Sequence, residues 1–336
     1  MKKYLLLPFL VLSVLVAKAQ DPYYSQYFMS PMTTNPALIG KGVSDMRVMS
    51  NFRSQTWGGA GAIAFRTTSV SFENRIGQKR FPDDEMAIGV SMVNDASNGG
   101  LLKKNFISVG MAFNKRLSKY STFGVGIAAN YANMLLDQTQ FTFQNQFGSL
   151  GFIRTLPTYD PLLVTNRTYF NADAGIHYSY VDSVWGFNLG TSIYHAAQNK
   201  QGLYERSSFT FPKRYSTRVS AFRKFKGGDE LHVTAGYDKQ FSTDVYTFGS
   251  IYKLKIHGEH PVNKISFGLF ERVNDSFYPF VGLESSTWAA GFSYDIVNSD
   301  VRTTYNSVQS LEVSFAWQFA SKSNKKKPTH DRMYIY

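Results

Sequence analysis

Polar and apolar residues alternate along most of the chain with a period of two. From Phe123 to Tyr131 the odd positions are apolar, while the even positions are glycine, alanine or asparagine. The same alternation returns from Phe170 to Tyr180 and from Leu311 to Phe319, and one face of all three segments carries no charge. A repeat of two residues is typical of β-strands with two unlike faces.

Turn-forming residues between such segments divide the sequence into fourteen predicted strands. They are placed near 44–54, 65–75, 85–95, 104–115, 121–133, 167–180, 183–195, 215–226, 230–241, 244–256, 262–272, 277–284, 286–297 and 308–319. Most have the roughly 9–11 residues with which a tilted strand crosses a bilayer, whereas strands of about five or six residues are commoner in soluble sheets. The pattern therefore predicts an all-β fold, a transmembrane antiparallel β-barrel that spans residues 44–319.

Aromatic content supports a lipid-facing wall. The chain holds 28 Phe, 21 Tyr and 4 Trp, which would crowd the interior of a sandwich only about 10 Å thick. On the outside of a barrel the same side chains contact lipid and form interfacial girdles. The charged residues of the strands, such as Asp173, Arg218, Asp238 and Asp295, fall mostly on the opposite face, which we expect to line the lumen.

The N-terminus predicts export. Residues 1–19 combine Lys2 and Lys3, an apolar stretch and the small residues Ala17 and Ala19, which is the pattern of a signal peptide cleaved before Gln20. The apolar run is shorter than the roughly 20 residues that a membrane-spanning helix needs. We therefore expect a protein of the bacterial outer membrane, in contact with outer-membrane lipid.

Connection lengths predict which end of the barrel faces out, because outer-membrane barrels have short periplasmic turns and longer extracellular loops. With both termini in the periplasm, the two longest connections, 134–166 and 196–214, face outward. The turn at Ser242-Thr243 departs from this rule because it is short yet faces outward.

The charge distribution, the lack of cysteine and the glycine pattern exclude several classes of function. The chain has a formal charge of +12, but its basic cluster Lys325-Lys326-Lys327 lies in the tail over residues 320–336, so no nucleic-acid partner is predicted. With no cysteine, thiol chemistry and disulfides are excluded. The absence of glycine-rich phosphate motifs implies no nucleotide cofactor.

Histidines offer the remaining enzymatic hypotheses. His257 and His260 lie in a predicted periplasmic turn with no accompanying metal-ligand motif, so no metal site is predicted. His177 and His232 point toward the lumen by parity, where either one with Ser179 suggests a lipid hydrolase. Polar networks are the commoner reason for such residues, and a protein that is not an enzyme is expected.

An irregular segment over residues 20–43 precedes the first strand. It is rich in aromatics and contains Pro22, Pro31 and Pro36, so it packs against something, either its own lumen as a plug or a periplasmic partner. Small residues on the lumenal face indicate a crowded lumen, and these are Gly124, Gly126, Gly236 and Gly291.

Several short motifs carry a family resemblance. The first is made of Gln20-Asp21-Pro22, Ser25-Gln26-Tyr27, Pro31 and Asn35-Pro36-Ala37, which together are similar to the opening of the PorP/SprF family of Bacteroidota outer-membrane proteins. Asn51 to Trp57 resembles its Asn-x-Arg-x-Gln-Trp run with Thr56 added, and Gly190, Ser192 and His195 match its Gly-x-Ser-x-x-His stretch. Ser310 to Phe319 resembles its closing strand.

The resemblance implies a non-enzymatic barrel of the type IX secretion system. Some members are associated with periplasmic ring and motor components, and others anchor or help export a secreted surface protein, such as a gliding adhesin, through its C-terminal domain. The compact length favours the second, SprF-like branch. The alternative is a passive or hydrophobic-solute channel gated by the N-terminal segment.

The candidate contact residues form three groups. The first, which belongs to a plug or docking segment, comprises Tyr24, Ser25, Gln26, Tyr27, Asn35 and Pro36. The second comprises the aromatics Phe141, Phe143, Tyr204, Phe209 and Phe211 of the long loops, which either bind a partner or fold over the barrel. The third is Lys325, Lys326 and Lys327, which either remain solvated or contact a periplasmic protein.

Overall fold

The computed structural model describes residues 21–42, 45–55, 65–78, 80–137, 141–149, 151–157, 166–197, 200–201, 209–210, 212–258, 260–299 and 309–319. The predicted signal peptide and the predicted basic tail lie outside these ranges.

Fourteen of the described β-strands close into one antiparallel barrel. In chain order the strands are β1 (Met46–Gln55), β2 (Phe65–Ile76), β3 (Glu85–Ser97), β4 (Leu102–Arg116), β5 (Ser121–Leu136), β6 (Phe147–Gly148), β7 (Gly151–Phe152), β8 (Asn166–Val181), β9 (Trp185–Tyr194), β10 (Lys200–Gln201), β11 (Phe209–Thr210), β12 (Arg214–Lys224), β13 (Glu230–Gln240), β14 (Thr243–Lys255), β15 (Lys264–Arg272), β16 (Ser276–Glu284), β17 (Trp288–Val297) and β18 (Gln309–Phe319). The pairs β6–β7 and β10–β11 are separate short hairpins. The predicted barrel and its strand number are confirmed, with boundaries that differ by three residues or fewer.

Closure joins the two ends of the barrel sequence. β1 pairs with β18, so that Met46 lies opposite Phe319 and Gln55 lies opposite Ser310. This seam brings together residues that are far apart in the chain. A closed ring leaves no unpaired strand edge in hydrocarbon, where each unsatisfied backbone group costs several kcal/mol.

The two faces of the wall differ as the alternation predicted. Outward side chains are large and apolar, and Ile127 and Phe170 are 59% and 70% exposed on the isolated chain. Inward side chains such as Asn130, Asp173 and Glu312 are polar and buried. An apolar exterior around a polar interior is the arrangement of a barrel that spans a membrane.

The two ends of the barrel also differ. One, the turn end, carries the connections 77–84, 117–120, 182–184, 225–229, 256–263 and 285–287, and the other, the loop end, carries 56–64, 98–101, 137–165, 195–213, 241–242, 273–275 and 298–308. The longest connections lie at the loop end, which is therefore the extracellular side. The short outward turn noted in the sequence is real, and Phe241 within it has a positive φ of 58°.

Within the described ranges, no helix has the length and apolar character needed to cross a membrane.

Candidate functional site

Residues 21–42 form a plug inside the barrel. Its short helices are a 3-10 turn (Tyr27–Met29), α1 (Pro31–Thr34) and a second 3-10 turn (Pro36–Leu38). Pro31 and Pro36 occupy first helical positions, where the missing N–H of proline costs nothing. The plug makes side-chain contacts with strands on several sides of the ring, including β2, β9, β13, β17 and β18.

Glu312 of β18 anchors the plug at the seam. Its carboxylate accepts hydrogen bonds from the backbone N–H groups of Ser25 (2.7 Å) and Gln26 (2.8 Å) and from Asn51 Nδ2 (2.8 Å). The amide of Gln26 donates back to the Glu312 carbonyl oxygen at 2.9 Å. Because Arg53 pairs with Glu312 across the β1–β18 ladder, the anchor joins the plug, the first strand and the last strand.

Asp295 of β17 completes this anchor. Ser25 Oγ donates to Asp295 Oδ2 at 2.6 Å, and Arg53 Nη2 lies 2.9 Å from the same oxygen. Arg272 Nη2 donates to Ser25 Oγ at 3.1 Å, and Arg272 Nη1 lies 3.7 Å from Asp295. Two acidic and two basic groups therefore compensate one another, as buried charges require.

Asp21 is held at the loop end by a second cluster, the latch. Its carboxylate lies 2.8 Å from His195 Nε2 and 3.4 Å from Arg214 Nη1, and its backbone N–H donates to Gln240 Oε1 at 3.0 Å. Burial alone would raise the pKa of Asp21, but His195 and Arg214 outweigh it and hold this pKa below its usual range. His195 has a positive φ of 59°, an uncommon backbone for a residue with a side chain, and Asp173 Oδ1 accepts from its N–H at 3.1 Å.

The middle of the plug lies against the centre of the wall. Asn35 Nδ2 donates to the Ile176 carbonyl at 2.9 Å, and Ser192 Oγ donates to the Thr34 carbonyl at 2.9 Å. A Cβ on Gly126 would lie 2.4 Å from backbone atoms of both Pro36 and Ala37. The backbone of the plug therefore occupies the space that a side chain at position 126 would need.

The other lumenal glycines divide into two kinds. A Cβ on Gly291 would lie 2.4 Å from Gln26 Oε1 of the plug. At Gly124 and Gly236 the nearest atoms belong to side chains of the wall itself, at 2.2 and 2.5 Å. The predicted crowding is present, and at two of the four glycines the plug is its cause.

An aromatic cluster holds the face of the plug that points to β15 and β16. The rings of Phe28 and Phe280 meet edge to face with centroids 5.3 Å apart, and Phe28 stacks on Phe270 at 5.9 Å. Phe270 in turn stacks on Tyr278 at 5.1 Å. Such pairs add about 0.5–1.5 kcal/mol to the burial of their surface.

Polar contacts fix the plug again at the turn end. The N–H of Gly40 donates to Glu73 Oε2 at 2.9 Å, and Arg47 Nη2 lies 2.6 Å from that oxygen. Lys41 Nζ donates to Thr122 Oγ1 at 2.7 Å. The plug is therefore attached near both mouths and in between.

Cavities lie on both sides of the plug. One of about 130 Å³ opens toward the turn end beside Lys41 and His177. Another of about 60 Å³ lies at the loop end, lined by Asp21 of the plug and by Tyr169 and Arg214 of the wall.

The structure distributes the predicted contact residues unevenly. Six of them are buried in the plug, and these are Tyr24, Ser25, Gln26, Tyr27, Asn35 and Pro36. In the loops, the rings of Phe141 and Phe143 lie 6.2 Å apart, and Phe209 belongs to β11. Tyr204, Phe211, Lys325, Lys326 and Lys327 lie outside the described residues.

Sequence reasoning missed the wall residues that receive the plug, above all Glu312, Arg272 and Glu73. Their signal is a charge at an inward position of a strand, where small or neutral residues are otherwise common. Parity alone could have identified them as lumenal, but not as partners of the N-terminal segment.

The histidines proposed for hydrolysis have structural surroundings. His177 and His232 are buried, and His232 Nε2 lies 3.1 Å from Glu230 Oε2. The Ser179 hydroxyl instead hydrogen-bonds to Thr122 and Lys41. Among the residues with described positions, no group of three or more His, Cys, Asp or Glu side chains is arranged to hold a metal ion.

The chain is similar to a known family of membrane proteins. The family model described as type IX secretion system membrane protein PorP/SprF matches residues 16–317. The chain belongs to the PorP/SprF family. It is therefore a β-barrel membrane protein of the type IX secretion system, and the predicted outer-membrane location is confirmed. No functionally curated protein is significantly similar to the chain.

Solved structures with this fold include transporters of other bacteria. The Ralstonia pickettii toluene transporter TbuX has a TM-score of 0.52 at 9% identity, covering 86% of this chain and 93% of its own. The Pseudomonas putida toluene transporter TodX has a TM-score of 0.49 at 8% identity, covering 90% and 96%. At such low identity the likeness to TbuX shows the barrel fold alone.

The motifs of this PorP/SprF protein meet at the plug. Ser25-Gln26 contacts Asn51 of the Asn-x-Arg run through Glu312. Of the Gly-x-Ser-x-x-His stretch, His195 pairs with Asp21 and Ser192 bonds to the Thr34 carbonyl. The residues that carry the resemblance are largely those that seat the plug in the barrel.

Proposed function

We propose that the protein binds a secreted cell-surface protein at its loop end and helps to export or anchor it, without catalysing a reaction. Membership of a type IX secretion family supports a role with such a cargo. The observation that carries the proposal is an exposed aromatic pair in the longest loop. Phe147 of β6 is 65% exposed and lies opposite Phe152 of β7, with ring centroids 5.5 Å apart.

The described residues around this pair are joined by hydrogen bonds within the loop. Gln146 is buried, and its Oε1 accepts from the Phe143 N–H at 3.0 Å while its Nε2 donates to the Arg154 carbonyl at 3.0 Å. The backbone N–H of Ile153 also donates to the Gln146 carbonyl at 2.8 Å. A preorganised aromatic pair loses little entropy on binding, and aromatic side chains are frequent among the residues that dominate interface energies.

The plug supports binding at the surface rather than passage through the lumen. It is fixed by Glu312 and Asp21 near the loop end and by Glu73 near the turn end. A partner that arrives from outside therefore meets the loops and the outer end of the plug. The cargo we propose is a protein with a type IX C-terminal domain, as in the SprF-like branch.

The test removes the aromatic pair. We expect Phe147→Ala with Phe152→Ala to reduce recovery of the cargo with the tagged protein at least tenfold, because hot-spot truncations cost about 2 kcal/mol or more. Leu117→Ala is the matched control, since Leu117 is 59% exposed at the turn end. Recovery of one large surface protein by the parent and the control, but not by the double variant, supports the proposal.

Other outcomes separate the alternatives. Equal recovery of cargo by all three proteins would refute the role of the aromatic pair. Recovery of periplasmic ring or motor components alone would assign the protein to the motor-linked branch of the family.

The second candidate is a hydrophobic-solute channel gated by residues 21–42. The fold shared with a toluene transporter and the cavities on both sides of the plug favour it. On the leading proposal, purified protein in liposomes is electrically silent and takes up no solute. Uptake by the parent protein that increases when the plug is loosened would favour the channel.

A further inference from the structure

We propose that the plug is threaded outward, so that the amino end of the mature chain is presented at the cell-surface mouth. There it forms part of the face that an extracellular polypeptide meets. The identity of this partner rests on the proposed function, whereas the direction of threading rests on the contacts of the plug alone.

The first described residue of the plug lies at the loop end. Asp21 contacts three wall residues, each at the loop-end limit of a strand. His195 follows the last residue of β9, Arg214 is the first residue of β12, and Gln240 is the last residue of β13. Three independent strand ends therefore place Asp21 at the outer mouth.

Some later residues of the plug make contacts deeper in the barrel. Ser25 and Gln26 contact Glu312, the fourth residue of β18 counted from the loop end. Asn35 reaches Ile176, which lies well inside β8. The plug therefore passes through the central part of the lumen between these contacts.

The end of the plug lies at the opposite mouth. Lys41 donates to Thr122, the second residue of β5 at its turn end. The Lys41 carbonyl accepts from Arg47, the second residue of β1. The plug thus begins at the outer mouth with Asp21 and ends at the inner mouth with Lys41. Its middle bends back toward the loop end, where Arg214 Nη2 donates to the Thr33 carbonyl at 2.7 Å, but its two ends remain at opposite mouths.

This direction makes the plug a strut rather than a removable stopper. At the turn end it continues covalently into β1, which pairs with both β2 and β18. An outward pull on the amino end therefore acts on the barrel seam. Withdrawal toward the periplasm requires Asp21 to leave its latch and pass through the whole lumen.

A small cavity lies at the outer end of the strut. The cavity of about 60 Å³ is lined by Asp21 and Pro22 of the plug and by Tyr169, His195 and Arg214 of the wall. The predicted cleavage before Gln20 would leave a new amino group next to Asp21. The Asp21 carboxylate pairs there with His195 and Arg214, and together with the ring of Tyr169 these groups form a mixed polar and apolar surface of the kind that polypeptide interfaces use.

The chain contains no cysteine, so single introduced thiols report position without a background. We would place one cysteine at a time and treat intact cells with a maleimide that does not cross the outer membrane. Pro22→Cys reports the amino end of the plug. Phe147→Cys is the control at the loop end, and Lys119→Cys is the control in the exposed turn 117–120.

We expect Pro22→Cys and Phe147→Cys to react on intact cells and Lys119→Cys to react only after permeabilisation. Reaction of Pro22→Cys only after permeabilisation, together with Lys119→Cys, would overturn the proposal. Failure of Pro22→Cys to react until the protein is denatured would also overturn it, because the amino end would then be closed off from the cell surface.

A second variant keeps Pro22 in place, so its result does not depend on any local change caused by replacing this proline. A short epitope inserted between Gln20 and Asp21 should bind antibody on intact cells, and an epitope after Tyr336 should not. Neither readout depends on cargo. Surface labelling without cargo recovery would therefore refute the proposed function and leave the threading intact, and the reverse pattern would refute the threading alone.

Discussion

A single methyl group at Gly126 should loosen the plug. In the Gly126→Ala variant the new Cβ would lie 2.4 Å from the N of Ala37 and from the C and O of Pro36. All three are backbone atoms, so no side chain can rotate away. Either the strand or the plug must move by about 1 Å to restore an ordinary contact of roughly 3.5–4.0 Å.

The expected cost is about 1–3 kcal/mol, which is the usual range for overpacking a filled interior. If the plug moves, the hydrogen bonds from Asn35 to the Ile176 carbonyl and from Ser192 to the Thr34 carbonyl are lost. Each hydrogen bond contributes about 0.5–1.5 kcal/mol. The loss of both bonds therefore costs about as much as the overpacking would if the plug stayed in place. This cost corresponds to a roughly 5–150-fold larger population of the unseated plug.

The assay uses a thiol reporter inside the plug. Met32 is 6% exposed, so Met32→Cys should react with a soluble maleimide only when the plug opens. When opening and closing are fast, the labelling rate follows the open population, and we expect it to rise about 5–150-fold in the Gly126→Ala background. The control background is Gly227→Ala, because a Cβ on Gly227 meets nothing within 4 Å.

Equal labelling rates in the two backgrounds, with both barrels intact, would refute this reasoning. That result would mean that the wall yields at Gly126 while the plug remains seated. The contacts of Asn35 and Ser192 would then be stronger than their hydrogen bonds suggest.

Three further predictions concern the remaining attachments of the plug. Glu312→Ala should lower the free energy of unfolding by about 3–5 kcal/mol, measured in a urea titration in detergent, because it leaves the buried donors of Ser25, Gln26 and Asn51 without their acceptor and removes one of the two carboxylates that balance the buried arginines. The pKa of Asp21 is lowered on folding, against the effect of burial, chiefly by His195, so its carboxylate stabilises the fold above the unfolded pKa of about 4 and less as the pH falls below it. The thermal stability lost in Asp21→Asn should therefore be largest near neutral pH and should shrink below about pH 4. Gly40→Ala should reduce the yield of heat-modifiable folded barrel, because Gly40 has φ +70° and its Cβ would lie 2.1 Å from that of Ala87.

A strut accounts for the family motifs better than a gate. Ser25-Gln26 and Asn51 meet at the seam between β1 and β18. This seam is where the first and the last strand of the barrel, which are distant in the chain, pair with each other. His195 holds Asp21, which lies four residues before Ser25 in the same segment. These residues stabilise one arrangement of plug and wall.

The sequence by itself determined the barrel. Alternation is a local property that each strand shows independently, and strand length together with apolar outer residues such as Ile127 and Phe170 indicated lipid on one side. The N-terminal segment also revealed itself locally, through its prolines and aromatics, as a packed element. The glycines at 126 and 291 correctly indicated that something fills the lumen.

Only the tertiary structure decided which residues meet inside. Ser25 and Glu312 are 287 positions apart, and Asp21 and His195 are 174 apart. Parity assigns every polar strand residue to the same lumen, so it cannot rank partners across the ring. The depth of each residue depends on the register of every pairing between β1 and β18, and the direction of the plug depends on that depth. This is why the sequence predicted a filled lumen, whereas the latch, the seam anchor and the outward threading required the closed barrel.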